Sequence, residues 1–431
     1  MSLGAEVADY HLRYKFNESS PDCPNTYRRN MDIGTQRKID RVMGSFLCRI
    51  FSLFHFNRTA ANQTPKVEKI LIILLSEMGS WVLAHSMFQH IARKYPHASV
   101  SVLLFKKNKE IVDILDYVPG TNILTIDPSS IRTLIADIIR VWIDMRRIRF
   151  DTVIDCELFH RISSILSFLS GAAIRVGFHP HTQEGLYRGN FFNRPVLYNP
   201  YQHISQQFVT LVAAIESNTV PKAKRIVNAE TMPPPQVDVS PAEIETIRKR
   251  LHAYSQASVD LDRKLVLIYP GGGILPIRAW PIDSFCRLSA SLVQSGCRLG
   301  IIGLEEDKAL AEKIVSHCNS SLCYDLTGFT KSVRELMVLF HLSSLLITND
   351  GGPGQFAALT PVPVIVFFGP ETPVLYGPLN ERTIVMNVQL SCAPCLTAYN
   401  HRNSPCDGDN VCLKSIRVED VLAKARAVLD R

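Results

Sequence analysis

Short apolar runs alternate with amphipathic segments along most of the chain. The runs at 69–75 and 99–105 are rich in Ile, Leu and Val, which is typical of strands buried on both faces of a parallel sheet. In segments 81–95 and 131–147, apolar residues recur three and four positions apart, which predicts helices. This alternation predicts right-handed crossovers and a parallel sheet covered by helices on both faces.

The α/β pattern occurs twice. It loses its period before a Pro-rich stretch at 231–241 and then starts again with an apolar run at 265–269. A chain of 431 residues is too long for one hydrophobic core, so we predict two Rossmann-like doubly wound domains facing an interdomain cleft. The predicted organisation is an N-terminal extension (1–66), an N-terminal domain (67–230), a linker (231–241) and a C-terminal domain (242–431).

The extension contains an amphipathic segment at 37–58. Its apolar residues fall at helical spacing on one side, and the segment holds five basic residues and one acidic residue. Two interpretations stay open: a helix packed on the protein's own core, or a helix lying in an anionic membrane interface.

Composition narrows the function classes. Hydrophobic residues make up 46% and charged residues 20% of the chain, which is typical of a globular protein. The net charge is +7, but no nucleic-acid motif is present, so a membrane surface or a phosphorylated substrate fits better. No apolar run is long enough to span a bilayer and no secretory pattern opens the chain. We therefore expect a cytoplasmic protein, peripheral on the inner face of the cytoplasmic membrane.

Three loops of the C-terminal half carry candidate anion-binding groups. Glycines and Arg278 follow the strand at 265–269, and Asp350 with further glycines follows a second strand. Gly369, Glu371 and Thr372 follow a third strand. Each loop alone is also explained by a tight turn or a helix cap. Because all three follow strands of one parallel sheet, they share one edge, and we predict a diphosphate site there. The candidates are Gly271, Gly272, Arg278, Asp350, Gly351, Gly352, Gly369, Glu371 and Thr372.

Polar residues also follow two strands of the N-terminal half. Glu77 and Ser80 lie at the first strand–helix turn, where helix capping by Ser80 is the simpler explanation. Asp155 ends a later strand. Polar groups at such an edge suit sugar or phosphate recognition, and the candidates for acceptor binding are Glu157, Arg161, Tyr187 and Arg188.

Together these motifs resemble glycosyltransferase family 9, whose best-known members are ADP-heptose:lipopolysaccharide heptosyltransferases. The resemblance runs in matching order from about Lys69 to the C-terminus. It implies a GT-B fold, an inverting reaction and no metal in the active site. It rests on the Gly79 turn and on four later segments: 278–281 (RAWP), 325–330 (DLTGFT), 348–353 (TNDGGP) and 368–373 (FGPETP).

The resemblance also implies roles for individual residues. Arg278 stands beside the donor phosphates, and Asp350, Gly351 and Gly352 stand at the phosphate-binding helix start. Glu306 or Asp307 would hold the ribose hydroxyls, and the alignment does not choose between them. The residues matching the loop that touches the nucleotide base are Thr327, Gly328 and Thr330.

The chain departs from the family at two positions. Many members have Asp, the presumed general base, where this chain has Ser80, and His where this chain has Gln355. An attacking hydroxyl must lose its proton to a carboxylate or imidazole, which Ser80 does not supply at neutral pH. We therefore predict Glu77 as the base, with Asp155 and Glu157 as substitutes.

The last unusual feature is a cluster of four cysteines. Their spacing is looser than in common zinc sites, so we favour free thiols in a reducing compartment over structural zinc. We expect no required cofactor. The cysteines are Cys392, Cys395, Cys406 and Cys412.

The sequence thus predicts an inverting, metal-independent glycosyltransferase acting on a glycolipid or saccharide acceptor. Residues 37–58 would contact the membrane, and nucleic acid is not an expected partner. Two rivals remain: a nucleotide-sugar-binding protein with impaired catalysis, favoured by Ser80 and Gln355, and an epimerase-like enzyme of the same architecture.

Overall fold

Two parallel sheets of six strands each form the centre of the protein. The computed structural model describes residues 35, 38–53, 66–75, 77–178, 187–219, 221–224, 233–254, 263–397 and 404–430. The strands of the first sheet are β1 (Lys69–Ile73), β2 (Ser99–Phe105), β3 (Ile123–Ile126), β4 (Thr152–Asp155), β5 (Ile174–Phe178) and β6 (Arg194–Val196). Those of the second are β7 (Leu265–Tyr269), β8 (Arg298–Gly303), β9 (Cys323–Thr327), β10 (Leu345–Asn349), β11 (Val364–Phe368) and β12 (Thr383–Asn387).

The strand orders are β3-β2-β1-β4-β5-β6 and β12-β11-β10-β7-β8-β9. In each sheet the order reverses at the centre, between β1 and β4 and between β7 and β10. Ligands of such sheets bind outside the carboxyl ends of the strands at this reversal. The topology therefore points to one edge of each sheet.

Helices cover both faces of the sheets. A π-helical turn (Asp40–Gly44) leads into α1. The helices of the first half are α1 (Ser45–Leu53), α2 (Met78–Leu83), α3 (His85–Lys94), α4 (Lys109–Leu115), α5 (Ile131–Ile148), α6 (Arg161–Leu169) and α7 (Ile204–Ala214). Those of the second are α8 (Pro241–Tyr254), α9 (Ile282–Gln294), α10 (Lys308–Cys318), α11 (Val333–His341), α12 (Gly352–Ala357), α13 (Pro373–Tyr376), α14 (Val411–Lys414) and α15 (Val418–Leu429).

The two halves are joined through a shared apolar core. One buried cluster contains Trp81 and Val82 of α2 together with Phe356 and Leu359 from the second half. Burial of such side chains stabilises the contact by roughly 1.5–3 kcal/mol each. A polar contact adds to it, since His203 hydrogen-bonds through Nε2 to the carbonyl of Gly377, 3.0 Å away.

The predicted doubly wound pattern is confirmed, with local differences. The segment predicted as one helix at 81–95 forms two helices, α2 and α3, separated at Ala84. The edge strands β6 and β12 were not predicted, because β6 is three residues long with a central proline and β12 is half exposed. Strand β9 is also absent from the prediction, which places residues 325–327 in a loop.

The predicted N-terminal helix at 37–58 is described from 38 to 53. Apart from residue 35, the rest of the predicted extension up to 65 lies outside the described residues, as do 231–232 of the predicted linker. Helix α8 begins at Pro241, where that linker was predicted to end. The domain boundaries themselves stay predictions.

Candidate active site

The glycine-rich loop after β7 is closely packed. A Cβ added at Gly271 would lie 2.6 Å from Oδ1 of Asp307 and 2.8 Å from the Tyr269 hydroxyl. Gly273 has φ of 59°, a conformation that side-chain-bearing residues rarely adopt. The loop therefore needs glycine at these positions, and its backbone lies at the carboxyl end of the central strands.

Asn349, the last residue of β10, holds this loop in place. It is fully buried, and its Nδ2 donates to the carbonyls of Pro270 and Gly271, both at 2.9 Å. Its Oδ1 accepts the backbone N–H of Trp280 at 2.8 Å. One amide thus fixes both ends of the segment that carries Arg278.

Arg278 and Asp350 meet at this edge. Their side chains are mostly buried, and Nη1 of Arg278 lies 3.5 Å from Oδ2 of Asp350. The Nε of Arg278 has no hydrogen-bond partner among the described residues, although it is buried. A buried guanidinium donor normally has an acceptor, and a phosphate oxygen would supply one.

Of the two carboxylates proposed for the ribose, Asp307 lies against the loop. Its Oδ2 accepts the N–H of Leu304 at 3.0 Å, and burial raises the pKa of its carboxyl. Glu306 is exposed. Burial also raises the pKa of the nearby Tyr269 to about 12.

The loop predicted to touch the base follows β9 directly. The N–H and hydroxyl of Thr327 both donate to Oδ1 of Asp325 at 2.7 Å. Gly328 has φ of 66° and donates to the carbonyl of Gly303 at 2.9 Å. Thr330 is half-buried two residues further on. The β8 and β9 loops are therefore linked by a backbone hydrogen bond.

The remaining C-terminal candidates lie at the ends of β10 and β11. Gly351 and Gly352 open α12 beside Asp350. A Cβ at Gly369 would lie 2.7 Å from Leu413 and 2.9 Å from the sulfur of Cys412, so core packing explains this glycine. Thr372 caps α13 by accepting the N–H of Val374, and Glu371 is buried next to it. Nucleotide binding by these residues stays a prediction.

One of the two departures from the family pattern, Gln355, lies against Gly79, the residue before the other departure. A Cβ at Gly79 would be 3.0 Å from Cγ of Gln355, so the first turn of the N-terminal half touches α12 of the C-terminal half. The amide of Gln355 donates to the carbonyl of Tyr376 at 2.7 Å. Ser80 therefore lies where the two halves meet, one residue from this contact.

Glu77 lies at the start of α2 in an unusual backbone conformation. Its φ is 59° and its ψ is 108°, and such a conformation costs of order 1–3 kcal/mol for a residue other than glycine. Its carbonyl accepts the N–H of Ser80 at 3.0 Å. Strain of this kind is common where a turn must present a side chain at a functional edge.

Asp155 is fully buried at the end of β4. Its Oδ2 lies 2.5 Å from Nη2 of Arg188, which also contacts the hydroxyl of Ser163 at 2.6 Å. Burial raises the pKa of Asp155, and the Arg188 guanidinium acts in the opposite direction. These bonds give Asp155 and Arg188 a structural explanation.

Glu157 and His160 form a hydrogen-bonded pair. Its Oε2 lies 2.8 Å from Nδ1 of His160, and its Oε1 accepts the N–H of Leu75 at 2.7 Å. Burial by itself would lower the pKa of His160, but the Glu157 carboxylate outweighs it and the net shift is upward. The pair lies beside the carboxyl end of β1.

Arg161 and Tyr187 hold the N-terminal extension on the domain. Nη1 of Arg161 pairs with Oδ2 of Asp40 at 3.2 Å, and its backbone N–H donates to Oδ1 of the same residue at 2.9 Å. The hydroxyls of Tyr187 and Ser52 are 2.9 Å apart. Acceptor binding by the four candidate residues of this region stays a prediction.

Among the described residues, no three His, Cys, Asp or Glu side chains are grouped to hold a metal ion. This includes the late cysteines. Cys412 is buried under Gly369, Cys395 lies 3.1 Å from the hydroxyl of Ser404, and Cys392 and Cys406 are exposed. The structure gives no support to a zinc site there.

Comparison with known sequences identifies the family. The profile described as "Glycosyltransferase family 9 (heptosyltransferase)" matches residues 138–404, which is more than half of the chain. The chain belongs to glycosyltransferase family 9. The matched region runs from α5 to the late cysteines and includes the whole second sheet.

Individual family 9 proteins resemble the chain over most of their length. The lipooligosaccharide heptosyltransferase 2 of Haemophilus ducreyi is 22% identical over 325 residues, 74% of this chain and 88% of that protein. The structure of Escherichia coli ADP-heptose lipopolysaccharide heptosyltransferase II superposes with a TM-score of 0.65 at 19% identity, covering 84% of this chain and 98% of the other.

A second heptosyltransferase structure contains an ADP-linked fluoro-heptose. Escherichia coli heptosyltransferase WaaC with ADP-2-deoxy-2-fluoro heptose gives a TM-score of 0.53 at 14% identity, covering 83% of this chain and 99% of that one. These likenesses confirm the GT-B fold of two Rossmann-like domains. The family match confirms that the chain is a heptosyltransferase-like glycosyltransferase.

Proposed function

We propose that this glycosyltransferase moves heptose from ADP-heptose to a lipopolysaccharide or other glycolipid acceptor, with inversion and without an active-site metal ion. The observation that carries the proposal is the glycine loop after β7, which Asn349 holds by hydrogen bonds and which places Arg278 beside Asp350. The names of the relatives supply the sugar, and the structure of one of them with ADP-2-deoxy-2-fluoro heptose supplies the nucleotide.

The donor would lie across the carboxyl ends of β7, β8 and β10. Backbone N–H groups after β7 and at the start of α12 would bind the diphosphate, and Arg278 would donate to it through Nε, which has no partner in the described part of the chain. Asp307, turned toward the same loop, is the better candidate of the two carboxylates for the ribose hydroxyls. Thr327, Gly328 and Thr330 would contact the base.

The leaving group determines what these residues must do. As the bond between C1 and the diphosphate breaks, negative charge grows on the phosphate oxygens and positive charge on the sugar. Arg278 and preorganised amides would stabilise the growing negative charge, a role that a divalent cation takes in metal-dependent enzymes. Attack from the opposite face of the sugar would invert C1.

Glu77 is our candidate general base. It lies at the turn where the family presents its aspartate, on the edge that faces α12 through Gly79. A carboxylate there would take the proton of the acceptor hydroxyl as it attacks C1. Of the predicted substitutes, Asp155 is engaged by Arg188, and Glu157 would act together with His160.

The test is transfer by Glu77→Gln and His160→Gln with ADP-heptose and an acceptor lacking the added sugar. Loss of a general base lowers kcat by roughly 100- to 10,000-fold. We expect that loss in Glu77→Gln with unchanged ADP affinity, while Glu312→Gln, an exposed carboxylate on α10, stays at wild-type activity. Full activity in Glu77→Gln, or the loss in His160→Gln instead, would contradict the assignment.

The alternative function is binding of a nucleotide sugar without efficient transfer. Ser80 and Gln355 favour it because they stand where many family members have ionisable groups, and Gly79, next to Ser80 in the chain, contacts Gln355. Release of ADP from the donor distinguishes the two functions. A transferase releases ADP only when donor and acceptor are both present, whereas a binding protein is stabilised thermally by the donor but releases no ADP with any acceptor.

The remaining features of the proposal concern location. The N-terminal half, 67–230, would hold the acceptor and 242–431 the donor, joined by 231–241. The segment 37–58 would keep the protein on the inner face of the cytoplasmic membrane, where a lipid-linked acceptor is available.

A further inference from the structure

Helix α5 carries apolar side chains on two of its faces. The inner face, with Val141 and Met145, packs on the first sheet. The outward face carries a row of apolar residues three and four positions apart, each 41–53% exposed. Single exposed apolar residues are ordinary, but a contiguous row marks an interaction site. This row, here called the α5 stripe, comprises Ile131, Ile135, Ile139, Trp142 and Ile143.

The N-terminal extension has a similar arrangement. Its inner face is fixed on α6 by Asp40, which binds Arg161, and by Cys48, which packs with Ile165. The opposite side exposes four apolar side chains by 58–79%. They are Val42, Met43, Phe46 and Leu53.

Both exposed rows lie on the same side of the first sheet. Helices α5 and α6 pack in one cluster with side chains from the same face of that sheet, through Met145 and Leu166 respectively. Helix α1 packs on the outside of α6, with the rings of Phe51 and Phe168 5.8 Å apart. The outer surfaces of α1 and α5 therefore border one side of the N-terminal domain.

The charges around these rows are mainly basic. Segments 38–53 and 131–149 together hold eight basic residues (three and five) and three acidic ones (one and two). Two of the acids are already paired, Asp40 with Arg161 and Asp137 with Arg140. The basic residues are Lys38, Arg41, Arg49, Arg132, Arg140, Arg146, Arg147 and Arg149.

We propose that the α5 stripe and the four exposed apolar residues of the N-terminal extension together form a docking surface for an anionic lipid bilayer. Apolar side chains of this kind enter the boundary between headgroups and acyl chains. Each Lys or Arg near an anionic surface adds about 1 kcal/mol. The proposal extends the membrane contact beyond 37–58 to a helix of the folded domain, which would set the orientation of the domain on the lipid.

A second copy of the chain fits this surface less well. A two-fold contact would place the basic residues of both copies against one another, and like charges facing across an interface oppose association. In the part of the chain that the structure describes, no helix is long and apolar enough to cross a bilayer. The observed features therefore favour binding on the membrane surface.

The test is flotation of the full chain with vesicles, without donor or acceptor. One set of vesicles contains phosphatidylcholine alone and the other also contains phosphatidylglycerol. We expect the wild type to float with the anionic vesicles and Ile135→Glu/Ile139→Glu to bind at least about tenfold more weakly. The matched control is Val411→Glu, which alters a side chain as exposed as these two but on the other domain, and it should bind like the wild type.

A cooperative thermal unfolding transition, measured by circular dichroism without any ligand, shows whether the double variant is folded. Undiminished vesicle binding by a folded double variant would overturn the proposal, as would failure of the wild type to bind anionic vesicles. A wild-type dimer that the double variant converts to a monomer would assign the surface to a second copy and also overturn it. Because no sugar transfer is measured, a protein that docks but transfers nothing would refute the proposed function and leave this inference standing.

Discussion

The carboxyl edges of the two sheets hold charged residues in different ways. At the first edge, Arg188 and Asp155 are buried and bound to one another, and Arg188 also holds the carbonyl of His160. At the second edge, Arg278 is 3.5 Å from Asp350 and its buried Nε has no partner among the described residues. Both arginines follow a strand of a parallel sheet, and of the two only Arg278 has a buried donor nitrogen without a partner among the described residues.

This difference indicates which of the two arginines has a structural role and which is available to bind a ligand. A charge whose hydrogen-bonding capacity is filled by the protein itself stabilises the fold and has little left for a substrate. A charge held by its neighbours but incompletely bonded is preorganised for an anion. We therefore propose that Arg188 and Asp155 stabilise the fold and that Arg278 is available to bind a diphosphate.

The largest effect expected from this comparison is on stability at the first edge. Arg188→Met would leave Asp155 buried without its partner, which costs about 3–5 kcal/mol. Chemical denaturation measures this free energy of unfolding. The control is Arg140→Met, which breaks the exposed pair with Asp137 and should cost under about 1 kcal/mol. Equal small losses in both variants would show that the Arg188 network is not structural.

The corresponding change at the second edge should affect binding more than folding. Arg278→Met removes a charge-assisted donor to the diphosphate, so we expect ADP to bind about 10- to 100-fold more weakly. Its free energy of unfolding should change by less than about 1 kcal/mol, because the contact with Asp350 is long. Calorimetric titration and denaturation measure the two quantities. A variant that loses stability and keeps ADP affinity would reverse the comparison.

The third effect concerns the loop that carries Arg278. Asn349→Ala would leave the buried N–H of Trp280 without its acceptor, at a cost of about 1–3 kcal/mol, and would loosen the loop. We expect lower stability together with weaker ADP binding. Asn380→Ala, which removes a half-buried amide outside the loop, should leave ADP affinity at the wild-type value.

The smallest effect depends on pH, at the contact between the halves. Burial lowers the pKa of His203, and its bond to the Gly377 carbonyl acts in the opposite direction. Because the folded pKa lies below the unfolded value, the neutral ring stabilises the protein above about pH 6.5, and this contribution is lost as the pH falls further. The melting temperature of the wild type, relative to His203→Gln, should therefore fall below that pH. A difference independent of pH would exclude this role.

Sequence patterns indicate which groups meet at the second edge, but not which groups at the first edge are already paired. The glycine loops and Arg278 could be placed together because parallel strands bring their carboxyl ends to one edge. In the first half, Arg161 and Arg188 are predicted as acceptor-binding groups, but both are paired with residues distant in sequence. Asp40 is 121 positions from Arg161, and Asp155 is 33 positions from Arg188. Residue type alone does not show whether such a charge is already paired.

The same limit explains Asn349. It lies inside a motif that was recognised, but it was not a predicted site residue. Its role depends on hydrogen bonds to Pro270, Gly271 and Trp280, between 69 and 79 positions away. Only the folded chain brings these groups together.

The most direct test of the account is calorimetric comparison of ADP with adenosine, in the wild type and in Arg278→Met. If the second edge binds the diphosphate, the wild type should prefer ADP by a wide margin, and the substitution should reduce that preference by about tenfold or more while leaving adenosine binding unchanged. Equal affinities for ADP and adenosine in the wild type would contradict the central claim.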